Sequence, residues 1–543
     1  MGKLFDKLFM NGNFFTPYQE PKIDFVGVKG GKIVKYGGKD ELKPYDDAAE
    51  IIDLKGKYVY PGFTDAHMHL MVYSQKNLYE VALNDITSKE AMMKKVKEFI
   101  HEKNIESGEW IIGSGWNQDK FDDTELPDRY LLDEISKEHP ICFTRACYHI
   151  CAVNSKALQL ADIDENTVSK NGGRIDKDTK GFPTGILREN AMELVTKVIH
   201  GIKDKERMKE LIIKGCEDLA KLGVTTVHTD DFPFVEDKEV LWEVLKELAI
   251  KDALPIRVVL QLRATEVEDI YRYKKMGMQS WERINNLVVG PIKIIADGSL
   301  GAMTAALDKP YEGDIENFGL MLMHEKELDQ LIYESFKHNF DIGIHAIGDR
   351  TMRVILEIYE KYQHVYKKKG FRPSIIHCQI GSKEILDQFK KLSIIANIQP
   401  IFLNTDWKIA ENRVGKERLT YSYCWRKYID MGILCVGSSD APIESFNPLY
   451  GIYTAVTRKD LDGFPEGGWM PEENLNIKEA IHMFTINGSY LSHEEDIKGS
   501  IEIGKYADFV VLSDDLCKIN KAYIKDVTVE ETIVGGEYIF KYA

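Results

Sequence analysis

From about residue 224 to residue 436 the chain alternates short, mostly apolar, β-branched runs with segments whose apolar residues recur at helical spacing. The runs are Val224-Thr-Thr-Val227, Ile256-Arg-Val-Val-Leu260, Ile292-Lys-Ile-Ile295, Ile342-Gly-Ile344, Ile375-Ile376, Ile394-Ile395 to Ile398 and Ile433-Leu-Cys-Val436. Turn residues bound each one, which predicts buried parallel strands. Lys326 to Lys337 and Met352 to Tyr366 supply helices between them, so the order is strand, helix, strand, helix. With Tyr58-Val59-Tyr60 as the first strand the count reaches eight, the number that closes a β/α barrel. The stretch between the first and second strands is far too long for a barrel loop, which predicts an inserted domain.

The two ends have a different texture. Phe25-Val-Gly-Val28 and Lys32-Ile-Val-Lys35 are separated by Gly30-Gly31, and Phe509-Val-Val-Leu512 and Glu531-Thr-Ile-Val534 are followed by Gly535-Gly536. These are short strands and tight turns, and neither end alone could bury a face. Pairing them predicts one small β-sandwich domain from residues 1–60 and 496–543. The barrel then takes 61–70 and 212–495, and the insertion 71–211 is expected to cover the barrel mouth. The fold class is α/β: a distorted (β/α)8 barrel with a sandwich and a large inserted cover domain. Lys367-Lys-Lys-Gly370 reads as a solvated helix end.

Composition adds exclusions. The chain has 543 residues, with 71 Lys and Arg against 87 Asp and Glu, a net charge of −16. Such a balance argues against nucleic acid or an anionic membrane as partner. The start has no signal-peptide pattern, and no run approaches the roughly 18 apolar residues of a membrane span. A cytoplasmic location is expected. Eight scattered cysteines without a secretion signal do not suggest a disulfide framework.

The chemistry is concentrated at strand ends. Pro61-Gly-Phe-Thr-Asp65-Ala-His67-Met-His69 places two histidines two apart, so both can face one cation. With 14 histidines in the chain this spacing arises readily by chance. Three more residues change the weight: His345 in Gly343-Ile-His-Ala-Ile-Gly-Asp349, His377 in Ile375-Ile-His-Cys378, and Asp440 in Val436-Gly-Ser-Ser-Asp440. All sit at the C-terminal ends of predicted strands, where β/α barrels build their sites. Lys293, inside an apolar strand, needs a reason, because a buried ammonium is costly. It either pairs with a carboxylate, Asp297 or Asp440, or is neutral and captures carbon dioxide as a carbamate. Arg145-Ala-Cys-Tyr-His149-Ile-Cys151 could hold a metal through Cys147, His149 and Cys151, although packing on one strand face explains those residues more simply.

The motifs Pro61 to His69, Gly113-x-Gly-Trp116-Asn-Gln118, Val153-Asn-Ser-x-Ala-Leu158, Lys293-Ile-Ile-Ala-Asp-Gly-Ser299, Gln399-Pro400, Gly437-Ser-Ser-Asp-Ala-Pro442 and Gly499 to Asp508 resemble the amidohydrolase superfamily. The similarity is to the branch containing N-substituted formamide deformylase, amidohydrolase family 3, and it runs along essentially the whole chain. It implies two divalent metal ions, zinc by analogy: one held by His67, His69 and Asp440, the other by His345 and His377, with Lys293 as a bridging carbamate. It also implies a bridging hydroxide, with Asp440 as the catalytic acid and base. Trp116, Arg145 and His149 fall in motifs that contact substrate in similar enzymes, and His228 is a further candidate contact. Where the family pattern usually reads Gly-Ser-Arg-Thr, this chain has Gly301-Ala-Met303-Thr304. A homodimer is implied by the resemblance alone. Asp406-Trp407 and Trp425-Arg426 match family positions without an assigned role.

The reading that follows is a metal-dependent hydrolase acting on a small molecule, cleaving a non-peptide C–N amide bond of an N-acyl or N-formyl amine. The same site could attack an ester or lactone. The alternative of a different class is a non-catalytic regulatory or binding protein on this fold, which would have no need to keep Asp440 and Lys293.

Overall fold

A computed structural model describes residues 3–16, 23–41, 48–121, 123–146, 150–168, 173–199 and 201–542. Eight parallel strands follow one another in chain order: β1 (Phe63–Met68), β2 (Val224–Thr229), β3 (Arg257–Arg263), β4 (Leu287–Ile295), β5 (Ile342–Ala346), β6 (Ser374–His377), β7 (Ile395–Ile398) and β8 (Cys435–Gly437). Each pairs in parallel with the next. The seam from β8 back to β1 lacks a regular ladder and is bridged just beyond the strand ends. Asp440 N donates to His67 O at 2.8 Å, and His69 N donates to Ala441 O at 2.8 Å. The barrel is therefore nearly closed, and its seam lies among the predicted ligands.

Helices connect the strands as their patterns require. In Lys383–Leu392 the buried residues Ile385, Leu386, Phe389 and Leu392 recur on one face, the Ser382 side chain accepts from Ile385 N, and Ser393 ends the helix in the left-handed region. The basic run expected at a helix end closes Gln363–Lys369, followed by Gly370 at φ 70°. The segment predicted as one helix from Met352 to Tyr366 is two, Asp349–Lys361 and Gln363–Lys369.

One strand differs from expectation. Tyr58–Pro61 is not in the barrel but pairs antiparallel with Phe509–Leu512. The first barrel strand starts after Gly62, where an added Cβ would lie 2.2 Å from Thr225 Oγ1, so only glycine allows β1 to enter this close to β2. The physical reason is that β1 carries Thr64, Asp65 and His67, all buried. Functional polar side chains erase the apolar run by which buried strands are recognised.

The Tyr58–Pro61 pairing brings the two chain ends together. A five-stranded sheet runs in the order Asn13–Phe14, Tyr58–Pro61, Phe509–Leu512, Val529–Val534, Glu537–Lys541, and a four-stranded sheet in the order Lys32–Gly37, Phe25–Lys29, Phe5–Met10, Ala48–Asp53. They share one core, in which Phe9, Val26 and Ile33 meet Val59, Phe509 and Ile533. Gly30 and Gly31, at φ 56° and 74°, form the two-residue hairpin turn of the four-stranded sheet.

Contacts divide the chain into two compact units. The first, 1–71, 204–233 and 237–543, holds the barrel and both end sheets together; the second, 72–203 with 234–236, is the inserted segment. Lys205–Ala220, whose first half was expected in the insertion, packs with the first unit. The second unit has its own six-stranded sheet, ordered Arg174–Lys177, Pro183–Arg188, Ile150–Val153, Ile141–Arg145, Ile111–Trp116, Glu80–Ala82. The seven described cysteines are free. Among the described residues no helix is long and apolar enough to cross a membrane.

Candidate metal centre

His67 lies near the end of β1, His69 just past it, and Asp440 three residues beyond β8. Asp440 Oδ1 is 3.3 Å from His67 Nε2 and 3.3 Å from His69 Nε2. One ligand atom from each of these three residues lies within 4.8 Å of the others, close enough to share a cation. The remaining predicted ligands adjoin them. Lys293 Nζ is 3.2 Å from His67 Nε2, and the ring centroids of His67 and His377 are 6.0 Å apart. Those of His345 and His377 are 4.4 Å apart.

The orientation of each imidazole follows from what its other nitrogen bonds. His67 Nδ1 donates to Gln261 Oε1 at 2.8 Å, His69 Nδ1 to the Asp230 carbonyl at 3.0 Å, and His377 Nδ1 to Gln399 Oε1 at 2.7 Å. His345 is turned the other way, with Nε2 donating to Gly298 O at 3.1 Å. Each acceptor engages one ring nitrogen and leaves the opposite nitrogen to ligate a metal once it carries no proton. Gln399 Nε2 is itself tied to Ser438 Oγ at 2.8 Å.

Charge in the site is controlled by burial. Burial, helped by the nearby Lys293, pushes the His67 imidazole down to about 4. Burial likewise lowers His377 well below the usual imidazole range. Both rings are thereby neutral, the form that ligates. Burial opposes ionisation of Asp440, but its contacts with His67 and His69 outweigh burial and hold the carboxyl well below its ordinary range; Asp440 in turn outweighs burial at His69 and raises that imidazole. The Lys293 amine, 1 % exposed, is pushed down to about 7 by burial. It has no carboxylate ion pair among the described residues. Asp297, one of the two expected partners, instead accepts from Ile347 N at 3.0 Å, Gly348 N at 2.9 Å, Ala306 N at 3.1 Å and Thr351 Oγ1 at 3.0 Å.

The backbone is strained here. His377, Cys378 and Asp440 have φ of 86°, 52° and 58°, a region that costs a non-glycine residue about 1–3 kcal/mol. The seam bonds and the Ser439–Asp65 contact hold Asp440 in place: Ser439 N donates to Asp65 Oδ1 at 3.0 Å. Burial raises the Asp65 carboxyl to about 7.

Residues 50–540 match the sequence profile of the amidohydrolase family. The chain belongs to the amidohydrolase family. YtcJ of Bacillus subtilis strain 168 is 31% identical to this amidohydrolase over 98% of the chain and 99% of its own length. The N-substituted formamide deformylase of Arthrobacter pascens is 26% identical over 99% of the chain and 98% of its own. Among solved structures, an uncharacterized metal-dependent hydrolase from Pyrococcus horikoshii OT3 superposes with a TM-score of 0.77 at 28% identity, covering 95% of this chain and 99% of that one.

The other predicted contacts of this amidohydrolase are placed as follows. Trp116 is fully buried in the core of the second unit, its Nε1 donating to Phe143 O at 2.9 Å. Arg145 donates to Gln118 Oε1 at 2.8 Å, Asn117 Oδ1 at 2.9 Å and Asp119 Oδ2 at 3.0 Å, all in the same unit. His149 and Cys147 lie outside the described residues. His228 is completely buried on β2, with no hydrogen-bond partner at either ring nitrogen among the described residues.

Sequence reading does not single out Gln261, and it quotes Gln399 without a role. The available signal for Gln261 is an amide between Leu260 and Leu262 in an otherwise apolar strand. Gln261→Leu is expected to weaken the affinity of the candidate site for an added divalent cation about 10- to 100-fold, because His67 loses the acceptor that orients its ring. Competition titration against a chromophoric chelator measures this, and an unchanged affinity would remove Gln261 from the site.

Proposed function

We propose that this amidohydrolase is a metal-dependent hydrolase that cleaves a carbon–nitrogen amide bond in an N-acyl or N-formyl amine. The observation that carries the reading is the convergence of His67, His69 and Asp440 ligand atoms at the barrel seam, with Lys293, His345 and His377 beside them. These donors fit divalent cations: four imidazoles each with one ring nitrogen left for a metal, two of them, His67 and His377, held neutral by burial, one ionised carboxylate, and an amine that burial brings close to neutral. We assign His67, His69 and Asp440 to one ion, His345 and His377 to a second, and Lys293, as the carbamate, to both. Zinc is the cation we expect. Bound divalent ions polarise a carbonyl and bring the pKa of water from 15.7 to about 7.

The chain's own residues would do the rest. Asp440 faces both imidazoles through Oδ1, which leaves Oδ2 to take a proton from the attacking water and return it to the leaving nitrogen. Gln261, Gln399 and the carbonyls of Asp230 and Gly298 keep the imidazoles aimed. The strained backbone at His377 and Asp440 fixes their side chains before substrate arrives. The products are an amine and a carboxylic acid.

Exhaustive chelation should abolish turnover, and zinc with bicarbonate should restore it. Matched amide and ester substrates then define the bond: amide cleavage should survive this removal and reconstitution cycle as the dominant activity. Ester cleavage alone would overturn the amide assignment. Full activity in metal-free protein would overturn the metal-dependent reading itself.

A further inference from the structure

We propose that Asp406 and Gln379, in the segments that follow β7 and β6, form a subsite for a positively charged nitrogen of the substrate. This deepens the amide-hydrolase reading and rests on it for the word substrate, though not for the binding itself.

The position comes first. Gln379 is two residues past His377. The Phe402 ring stacks on the His377 imidazole at a centroid distance of 5.9 Å. Asp406 follows Phe402 by four residues through the short helix Leu403–Asp406, so the two side chains project from one face, a turn apart. Asp406 is thus linked to the His377 end of the barrel twice, through Phe402 and through its bond to Gln379.

The chemistry of the corner is one of acceptors. Tyr423 OH donates to Asp406 Oδ2 at 2.8 Å and Gln379 Nε2 donates to the same oxygen at 2.9 Å. These two bonds lock the carboxylate, and Oδ1 accepts nothing among the described residues. The Gln379 amide is equally committed: with Nε2 spent on Asp406, its Oε1 is buried and has no partner among the described residues, and the residue is only 4 % exposed. Flipping the amide would turn Oε1 against a carboxylate. A buried acceptor without a donor is costly, which marks a place where a donor arrives.

The sign of the charge agrees. Glu444, four residues past Asp440, accepts from Thr405 Oγ1 at 3.1 Å and adds its charge to that of Asp406. Neither carboxylate has an ion-pair partner among the described residues, and Lys408 is turned to Asp460 at 3.6 Å. Burial raises the Asp406 carboxyl to about 6, as an uncompensated acid should behave. An ammonium carries three donors and no acceptor, the complement of this corner.

The test uses zinc-loaded, full-length protein and two probes, n-pentylammonium and its neutral counterpart 1-pentanol, titrated by calorimetry. The ammonium should bind about 10- to 100-fold more tightly than the alcohol. Asp406→Asn should bring the two together with zinc content unchanged. Equal affinities in the wild type, or a preference that survives Asp406→Asn, would overturn the subsite. A second measurement needs no variant: wild-type kcat/KM for mono-N-formyl-1,4-diaminobutane against N-formylpentylamine should favour the cationic substrate by a similar factor. Turnover of both at equal rates would sink the subsite and leave the amide reading standing. Ammonium preference with no turnover of either would retain the subsite and count against the amide reading.

Discussion

Asp440→Asn is expected to lower kcat/KM on any amide substrate by about 10³-fold or more. The substitution keeps the side-chain volume but removes two functions together. The amide cannot supply the anionic oxygen that both His67 and His69 face at 3.3 Å, and it cannot carry a proton from water to the leaving nitrogen. The loss should fall on kcat as well as on kcat/KM, because proton transfer is made only in the transition state. The measurement is steady-state kinetics at saturating zinc, beside a metal determination on the same sample. A variant that keeps its metal and loses turnover isolates the proton role; one that loses both shows the ligand role. Wild-type activity in this variant would favour the non-catalytic reading of the fold.

The largest expected effect on stability lies far from the chemistry. Arg257, on β3, donates through Nε to Asp508 Oδ2 at 2.7 Å and through Nη2 to Oδ1 at 3.0 Å, and both residues are buried. Asp508 Oδ1 also accepts from Gly535 N at 2.8 Å, and the Asp508 carbonyl accepts from Gly62 N at 2.9 Å. One residue thus ties the barrel to the sheet made from the chain ends. Asp508→Ala leaves the Arg257 guanidinium buried without its anion, a change that costs about 3–5 kcal/mol. Urea unfolding at neutral pH should show a midpoint shifted down accordingly. A loss under about 1 kcal/mol would mean that water or another group replaces the carboxylate.

The parts of the fold that were legible in the chain are those in which burial and chemistry coincide. Runs such as Ile292 to Ile295 and Ile375-Ile376 announce buried parallel strands because helices cover one face and the barrel interior the other. β1 was not legible for the opposite reason: Asp65 and His67 serve the interior of the barrel as polar groups, while Tyr58-Val59-Tyr60, apolar and adjacent, belongs to the end sheet. His345, His377 and Asp440 could be picked out because an ionisable residue at the end of an apolar strand has few structural uses. Gln261 could not, since an amide in a strand does not reveal that it orients a histidine from another strand. Trp116 shows the limit of residue type, as a Trp in a motif serves a core as readily as a ligand pocket. Asp406 matched a position of the family without a role, and only its locked oxygen and the bare Oε1 of Gln379 suggest one.

The central claim is that His67, His69 and Asp440 hold a catalytic cation, with a second beside Lys293, His345 and His377. Its most direct test is the metal content of protein loaded with zinc and bicarbonate, then freed of excess metal, for the wild type and for a His67→Ala, His69→Ala, Asp440→Ala triple variant. Wild-type protein should hold two zinc ions per chain, and the triple variant should lose at least one of them and all turnover. Wild-type protein that is fully active yet binds no stoichiometric metal, or a triple variant that keeps both its metal and its activity, would contradict it.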